Sequence, residues 1–236
     1  METDDRQRAT EILRRLRQEL KIDPKAFVSL WTSQNTQNPF AVLLATILSQ
    51  SCTDKAALQA FGNLKKRIGI SPTALTKAKL SDIQSAIRFA GLQKTKARGI
   101  KELAKAILTR YGGDIGSVLT GDIEEARKKL IELPKVGPKT ADVLLVTFAN
   151  KPVIPVDTHI NRVAVRLGFA KPKSKYEDVR RSLESVFPLG SFHDAHLLLI
   201  AHGRRFCQAR KPRCYECPIL DLCPYPYKME KLNKAV

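Results

Sequence analysis

Three observations predict an all-α fold. Apolar residues recur with a helical period along nearly the whole chain, no convincing run of strands interrupts them, and Pro, Gly and Asn breakers leave segments of about 10 to 15 residues. The pattern implies a globule of roughly ten helices. Taken in order, Ile12, Leu13, Leu16 and Leu20 form one amphipathic face that is basic on its other side, suited to docking on the C-terminal part rather than on a membrane. Asn38-Pro39 opens a helix whose Phe40, Leu43, Leu44, Ile47 and Leu48 follow the i, i+3, i+4, i+7, i+8 template. Ser71-Pro72 marks another start. Ile100, Leu103, Ala104, Ile107 and Leu108 give a further face, ended by Gly112-Gly113. Beyond the breakers from Pro134 to Pro138 come Ala141, Leu144, Leu145 and Phe148; beyond Pro152 to Pro155 come Ile160, Val163, Ala164 and Leu167, with Pro172 after them. No internal repeat stands out, which argues against a solenoid.

Composition narrows the function classes. Among 236 residues, Lys and Arg number 41 against 23 Asp and Glu, a formal charge of +18, which calls for a polyanionic partner. With 43% hydrophobic residues the chain can bury a core, so disorder over most of its length is excluded. No apolar run approaches the roughly 18 residues of a membrane span, and Met1 to Glu11 mixes acidic and basic residues without an apolar core, which argues against secretion. The expected location is intracellular: cytoplasm or nucleoid, or the nucleus in a eukaryote. Of five cysteines, Cys52 stands alone, while Cys207, Cys214, Cys217 and Cys223 cluster, as at a metal site in a reducing compartment. Four thiolates suit either one zinc ion or a [4Fe-4S] cluster.

The segment from Ile131 to Asp142, with Leu133-Pro134-Lys135-Val136-Gly137-Pro138-Lys139-Thr140 at its heart, joins two helical patterns through a tight turn. A turn that feeds straight into a helix start exposes backbone N–H groups at the positive end of a helix dipole, suited to phosphate oxygens. An ordinary helix connection with Pro at the first helical position fits the same residues. Lys139 falls in the first turn of the second helix, where the dipole disfavours an ammonium; an amine that is partly neutral is a nucleophile. Asp157 precedes the next periodic helix, where it can cap that helix, stabilise positive charge developing on a sugar, or assist a proton transfer.

These motifs resemble one family. Leu133-Pro134 through Ala141, followed by Val156-Asp157-Thr158-His159, resembles the helix-hairpin-helix DNA glycosylases of the endonuclease III type, as do Pro39-Phe40 to Thr53-Asp54, Gly91-Leu92 with Lys96-Ala97, and the 6-2-5 spacing of the four cysteines. The resemblance covers roughly residues 10 to 225. It implies two helical domains flanking a DNA-binding cleft: a six-helix domain over 31–150 that ends in the helix-hairpin-helix (about 122–149), and a discontinuous domain, 1–30 plus 151–236, with an iron-sulfur loop at 207–223.

It further implies a monomeric, bifunctional glycosylase and abasic-site lyase of base excision repair, acting on damaged bases or abasic sites in double-stranded DNA, with oxidised pyrimidines as the usual substrates. Lys139 would attack C1′, Asp157 would assist, and β-elimination would nick the strand 3′ to the lesion. Cys207, Cys214, Cys217 and Cys223 would hold a [4Fe-4S] cluster. Lys135, Val136 and Gly137 of the hairpin, Arg210, Lys211 and Arg213 of the cysteine loop, and Gln50 in the gap left by a flipped base would contact DNA.

Three positions depart from the family pattern. Lys135 stands where glycine is usual, at the cost of backbone strain if that position needs a positive φ, and Pro138 replaces a common arginine. Gln50 lies one place earlier than in the best-known pattern. Ala45 and Lys139 argue against the adenine-mismatch branch, which carries a glutamate near the first position and no lysine at the second. The remaining alternatives are a monofunctional uracil or thymine mismatch glycosylase of the same superfamily and a non-catalytic DNA-binding module with a structural metal.

Overall fold

The computed structural model describes residues 2–225, with side chains from residue 4 onward; the end of the expected second domain, 226–236, lies outside them. Thirteen α-helices and four short 3-10 turns make up the regular structure among the described residues, and no strand occurs there. In chain order the helices are α1 (Glu2–Glu19), α2 (Val28–Asn35), α3 (Pro39–Ser49), α4 (Asp54–Arg67), α5 (Pro72–Lys77), α6 (Leu80–Ala86), α7 (Gln93–Tyr111), α8 (Gly116–Leu119), α9 (Ile123–Ile131), α10 (Pro138–Thr147), α11 (Thr158–Arg166), α12 (Tyr176–Val186) and α13 (Phe192–Arg205). The expected all-α class holds. The larger number of helices reflects short ones, such as α5 and α8, too brief to show a period in sequence.

Local chemistry sets several boundaries. Asn38 caps α3 by accepting from Phe40 N and Ala41 N, with Pro39 at the first helical position where its missing N–H has no role. Ser71 caps α5 and Asp157 caps α11 in the same manner. Gly112, at φ 61, ends α7 in the left-handed conformation that glycine adopts without penalty.

The chain packs as two compact units. Asp23–Lys151 is one, with α3 at its centre: all its residues from Phe40 to Leu48 are buried, against α2, α4 and α10. Burying each of Leu43, Leu44, Ile47 and Leu48 stabilises the fold by about 1.5–3 kcal/mol relative to exposure. The other unit joins Met1–Ile22 to the chain from Pro152 onward. There α1 packs against α12 and α13 and buries Ile12, Leu13 and Leu16, with Leu20 buried just past its end, as the amphipathic pattern predicts. Arg17 pairs with Asp194 at 2.9 Å, and Arg15 with Asp221 at 2.6 Å.

Candidate active site and cysteine loop

The hairpin is α9, a short turn and α10. Asp122 caps α9 by accepting from Glu124 N and Glu125 N. In the turn Val136 N donates to Leu133 O at 3.1 Å, both side chains are buried, and Gly137 in extended backbone precedes Pro138 at the first position of α10. Lys139 therefore stands second in α10, half-buried, within the first turn. Gly137 has no side chain to occupy the N–H groups that open this helix. The two helices are locked by a buried ion pair: Arg127 Nε lies 2.6 Å from Asp142 Oδ1, with side chains 8% and 0% exposed. Such a pair costs desolvation, but its two-pronged geometry fixes the register of one helix on the other.

Lys135 does adopt a positive φ, 66°. Its alkyl chain lies across α7 at Gly99: a Cβ built on that glycine would fall 2.5 Å from Lys135 Cγ and 2.8 Å from Cε. Lysine is accommodated in the strained position because the neighbouring helix has no side chain there.

Beside the hairpin, Gln50 ends α3, and its Nε2 donates to Thr140 Oγ1 at 3.4 Å, next to Lys139 in sequence. Ser51 follows at φ 55. The loop opening α7 is also left-handed, at Gly91 (φ 64) and Leu92 (φ 46), and Leu92 is 62% exposed. Lys96 is buried; its Nζ donates to Leu48 O at 2.8 Å and to Ala90 O at 2.7 Å, and lies 3.9 Å from Cys52 Sγ. Burial draws the Lys96 pKa down and pushes that of Cys52 up, keeping the thiol protonated.

In the other unit Asp157 accepts from Ile160 N at 2.8 Å as the cap of α11, and is half-buried. The far end of this helix grips the cysteine loop. Arg162 donates to Cys207 O at 2.9 Å; Arg166 donates to Cys207 Sγ at 3.3 Å, Gln208 O at 2.7 Å and Ala209 O at 3.2 Å. Cys207, Cys214, Cys217 and Cys223 line one apolar-walled pocket with Phe206 and Ile219. There burial pushes the Cys217 thiol up to about 12. Ligation of a metal there would remove such protons, so that uptake and proton release would be coupled. Arg210 and Lys211 project from the loop, whereas Arg213 is paired with Glu216 and Arg205 with Glu19 at 3.0 Å.

Residues 44–189 match the family described as HhH-GPD superfamily base excision DNA repair protein. The chain belongs to that superfamily. An endonuclease III of Sulfolobus acidocaldarius is 42% identical over 218 residues, 92% of this chain and 96% of its own. That of Escherichia coli K12 is 37% identical over 199 residues, 84% of this chain and 90% of its own. Among solved structures, a non-covalent endonuclease III–DNA complex superposes with a TM-score of 0.80 at 30% identity, covering 97% of this chain and 98% of that one. A trapped endonuclease III–DNA covalent intermediate superposes at 0.73 with 32% identity, covering 83% and 86%. With such relatives over nearly its whole length, this HhH-GPD protein is a base excision repair glycosylase/lyase.

Within the superfamily's frame, the structure brings Gln50, Lys135, Val136, Gly137 and Lys139 into one neighbourhood of the Asp23–Lys151 unit, around α10. Asp157 and the four cysteines belong to the other unit. Of the histidines, His159 and His196 hydrogen-bond through Nδ1, to Arg162 and to Pro155 O, while His193 Nε2 and His202 Nδ1 are buried with no hydrogen-bond partner among the described residues. Burial drives the His202 pKa down to about 4, which keeps its ring neutral. Sequence reasoning places Lys96 and Leu92 in a landmark without giving them a task. Leu92 has a legible signal, an apolar residue after glycine just before a helix; the burial of Lys96 has none.

Proposed function

We propose that this chain removes oxidised pyrimidines from duplex DNA and cuts the strand at the resulting abasic site, with Lys139 as the nucleophile and Asp157 as the assisting carboxylate. The observation that carries the proposal is the position of Lys139, second in α10, after a hairpin whose opening N–H groups face a glycine cap. The lysine amine attacks C1′, the C1′–N bond breaks, and the base leaves with its electron pair and takes up a proton. Loss of a proton from the amine and opening of the sugar give an imine. Removal of a C2′ proton then expels the 3′ phosphate, and water releases the enzyme. A target inside a duplex must first be extruded, at a cost of a few kcal/mol that is smaller for a damaged base. Leu92, apolar and exposed on a left-handed loop, is of the type that wedges into an opened base step, and Gln50, whose Nε2 donates to Thr140 Oγ1, is proposed to fill the gap.

The hairpin backbone from Lys135 to Gly137, and Arg210, Lys211 and Arg213, are proposed as phosphate contacts, Arg213 sharing its charge with Glu216. In this proposal 31–150 is the hairpin-bearing domain and 1–30 plus 151–236 is the cluster-bearing domain, a division close to that of the two compact units, which meet instead at Asp23 and Lys151. The superfamily's endonuclease III branch is known to carry a metal cluster. In this chain the four cysteines are proposed to hold a [4Fe-4S] group. Four cysteine sulfurs that line one shared, apolar-walled pocket are the donor set that such a group takes. When bound, the group orders the loop that carries Arg210 and Lys211.

The test is borohydride trapping on duplexes containing thymine glycol or an abasic site, comparing wild type, Lys139→Gln and Asp157→Asn. The expected result is an adduct with wild type on both substrates and none with Lys139→Gln, whose DNA affinity stays within a few-fold. Asparagine caps a helix as well as aspartate does. A fall of about 100-fold in base removal for Asp157→Asn therefore reports lost charge rather than a lost cap. Retained trapping by Lys139→Gln would remove Lys139 from the mechanism.

A further inference from the structure

Two strained loops of the Asp23–Lys151 unit share one buried cation. Ser51 (φ 55) lies in the loop that leaves α3; Gly91 (φ 64) and Leu92 (φ 46) form the loop that enters α7. A carbonyl just ahead of each loop accepts from the same ammonium, Leu48 O at 2.8 Å and Ala90 O at 2.7 Å from Lys96 Nζ. Cys52 Sγ, at 3.9 Å, brings the first loop onto the same group again. Lys96 is 6% exposed.

Burying an ammonium is costly unless its protons are bonded, and an apolar side chain would fill the same space without that cost. What the ammonium supplies is connection. Three donors on one nitrogen tie the two loops to a single point, in addition to the packing of α3 and α4 against the elements around α7. Both loops also carry a side chain aimed outward or toward the hairpin: Leu92, 62% exposed, and Gln50, bonded to Thr140 beside Lys139.

We infer that Lys96 is a positioning residue that locks the Gln50–Cys52 loop and the Gly91–Leu92 loop in one register, so that Gln50 and Leu92 meet the duplex together as a nucleotide is extruded. The inference rests on the reading of this chain as a base-extruding glycosylase. Two independent loops would each have to be ordered as DNA binds, and each ordering opposes the unstacking that extrusion already requires. A common buried hub orders both in advance. The effect is on opening the duplex, not on the chemistry at Lys139.

That separation gives the experiment. Borohydride trapping rates are measured for wild type and Lys96→Met on an abasic site in a duplex and on the same strand without its complement. In the single strand no stack has to be opened, so trapping there reports Lys139 alone. The expected result is a loss of at least about ten-fold on the duplex, the scale of a small misplacement of positioned groups. Single-strand trapping should change by less than about three-fold. Equal losses on the two substrates, or no loss on either, would overturn the inference. If circular dichroism shows that Lys96→Met does not fold, the same ratio is read in Lys96→Gln, whose amide keeps two donors at shorter reach. Trapping that persisted at the wild-type rate in Lys139→Gln would instead sink the underlying reading, whatever the Lys96 variants did.

Discussion

The hairpin and the cysteine loop are both basic and both end next to a helix, yet they are ordered by different physics. The hairpin is bounded by α9 and α10, buries Leu133 and Val136 within its turn, and is pinned by the Arg127–Asp142 pair. From Cys207 to Cys223 only Ile219 is buried, the regular structure is one 3-10 turn at Cys214–Glu216, and much of the anchoring comes from Arg162 and Arg166 on α11. Packing suffices for the first. The second buries little apolar surface of its own, and the metal ligation proposed for its four cysteines would supply the order that packing does not.

The largest effect that would break this contrast is expected from Cys217→Ser. Iron per chain should fall to near zero, and the thermal midpoint of the unit that holds the four cysteines should drop well beyond the shift caused by any single hairpin substitution, because the proposed cluster would couple metal binding to loop folding. Iron analysis with calorimetry checks this; full iron retention would contradict the assignment of Cys217 as a ligand.

Arg127→Met should be the next largest. It leaves Asp142 as a fully buried carboxylate without this partner, at a cost of about 3–5 kcal/mol in chemical denaturation, while iron content stays at the wild-type level. Loss of iron in this variant would mean that the two regions depend on each other. Reversing Arg210 and Lys211 to Glu should weaken binding to all duplex sequences alike. The slope of log affinity against log salt should flatten by about one for every phosphate no longer neutralised, with stability unchanged within about 0.5 kcal/mol. An unchanged salt slope would return the loop to ordinary surface.

The smallest and sharpest change is Gly99→Ala. Its Cβ would meet the Lys135 chain, so a loss is expected that offsets the roughly 1 kcal/mol alanine gains over glycine within a helix. Adding Lys135→Gly should recover most of it, a coupling that a double-mutant cycle measures. Additive losses would show that Lys135 and Gly99 do not share that space.

What was legible in the sequence was local. Asn38, Ser71 and Asp157 announce helix starts because a capping side chain acts on amides two or three residues away. The apolar face of α1 and the four cysteines were equally plain. The position of Lys139 in the first turn of α10 follows from Gly137-Pro138 alone. The rest was not written locally. Nothing beside Lys96 says that Leu48 and Ala90 will bring their carbonyls to it, and nothing beside Lys135 says that the helix passing beneath carries glycine at 99. The expected strain at Lys135 is present, but its accommodation is a property of two helices. The same holds for Arg127 and Asp142, which sit on separate helices with nothing local to announce that they pair.

The central claim is that one particular amine, Lys139, carries the chemistry, and an exposed lysine four residues earlier is its nearest rival. The most direct test is to reduce the trapped complex of wild-type protein with abasic duplex, digest it, and locate the sugar remnant by fragmentation mass spectrometry. The account predicts the added mass on Lys139. Finding it on Lys135 or on the terminal amine would contradict it.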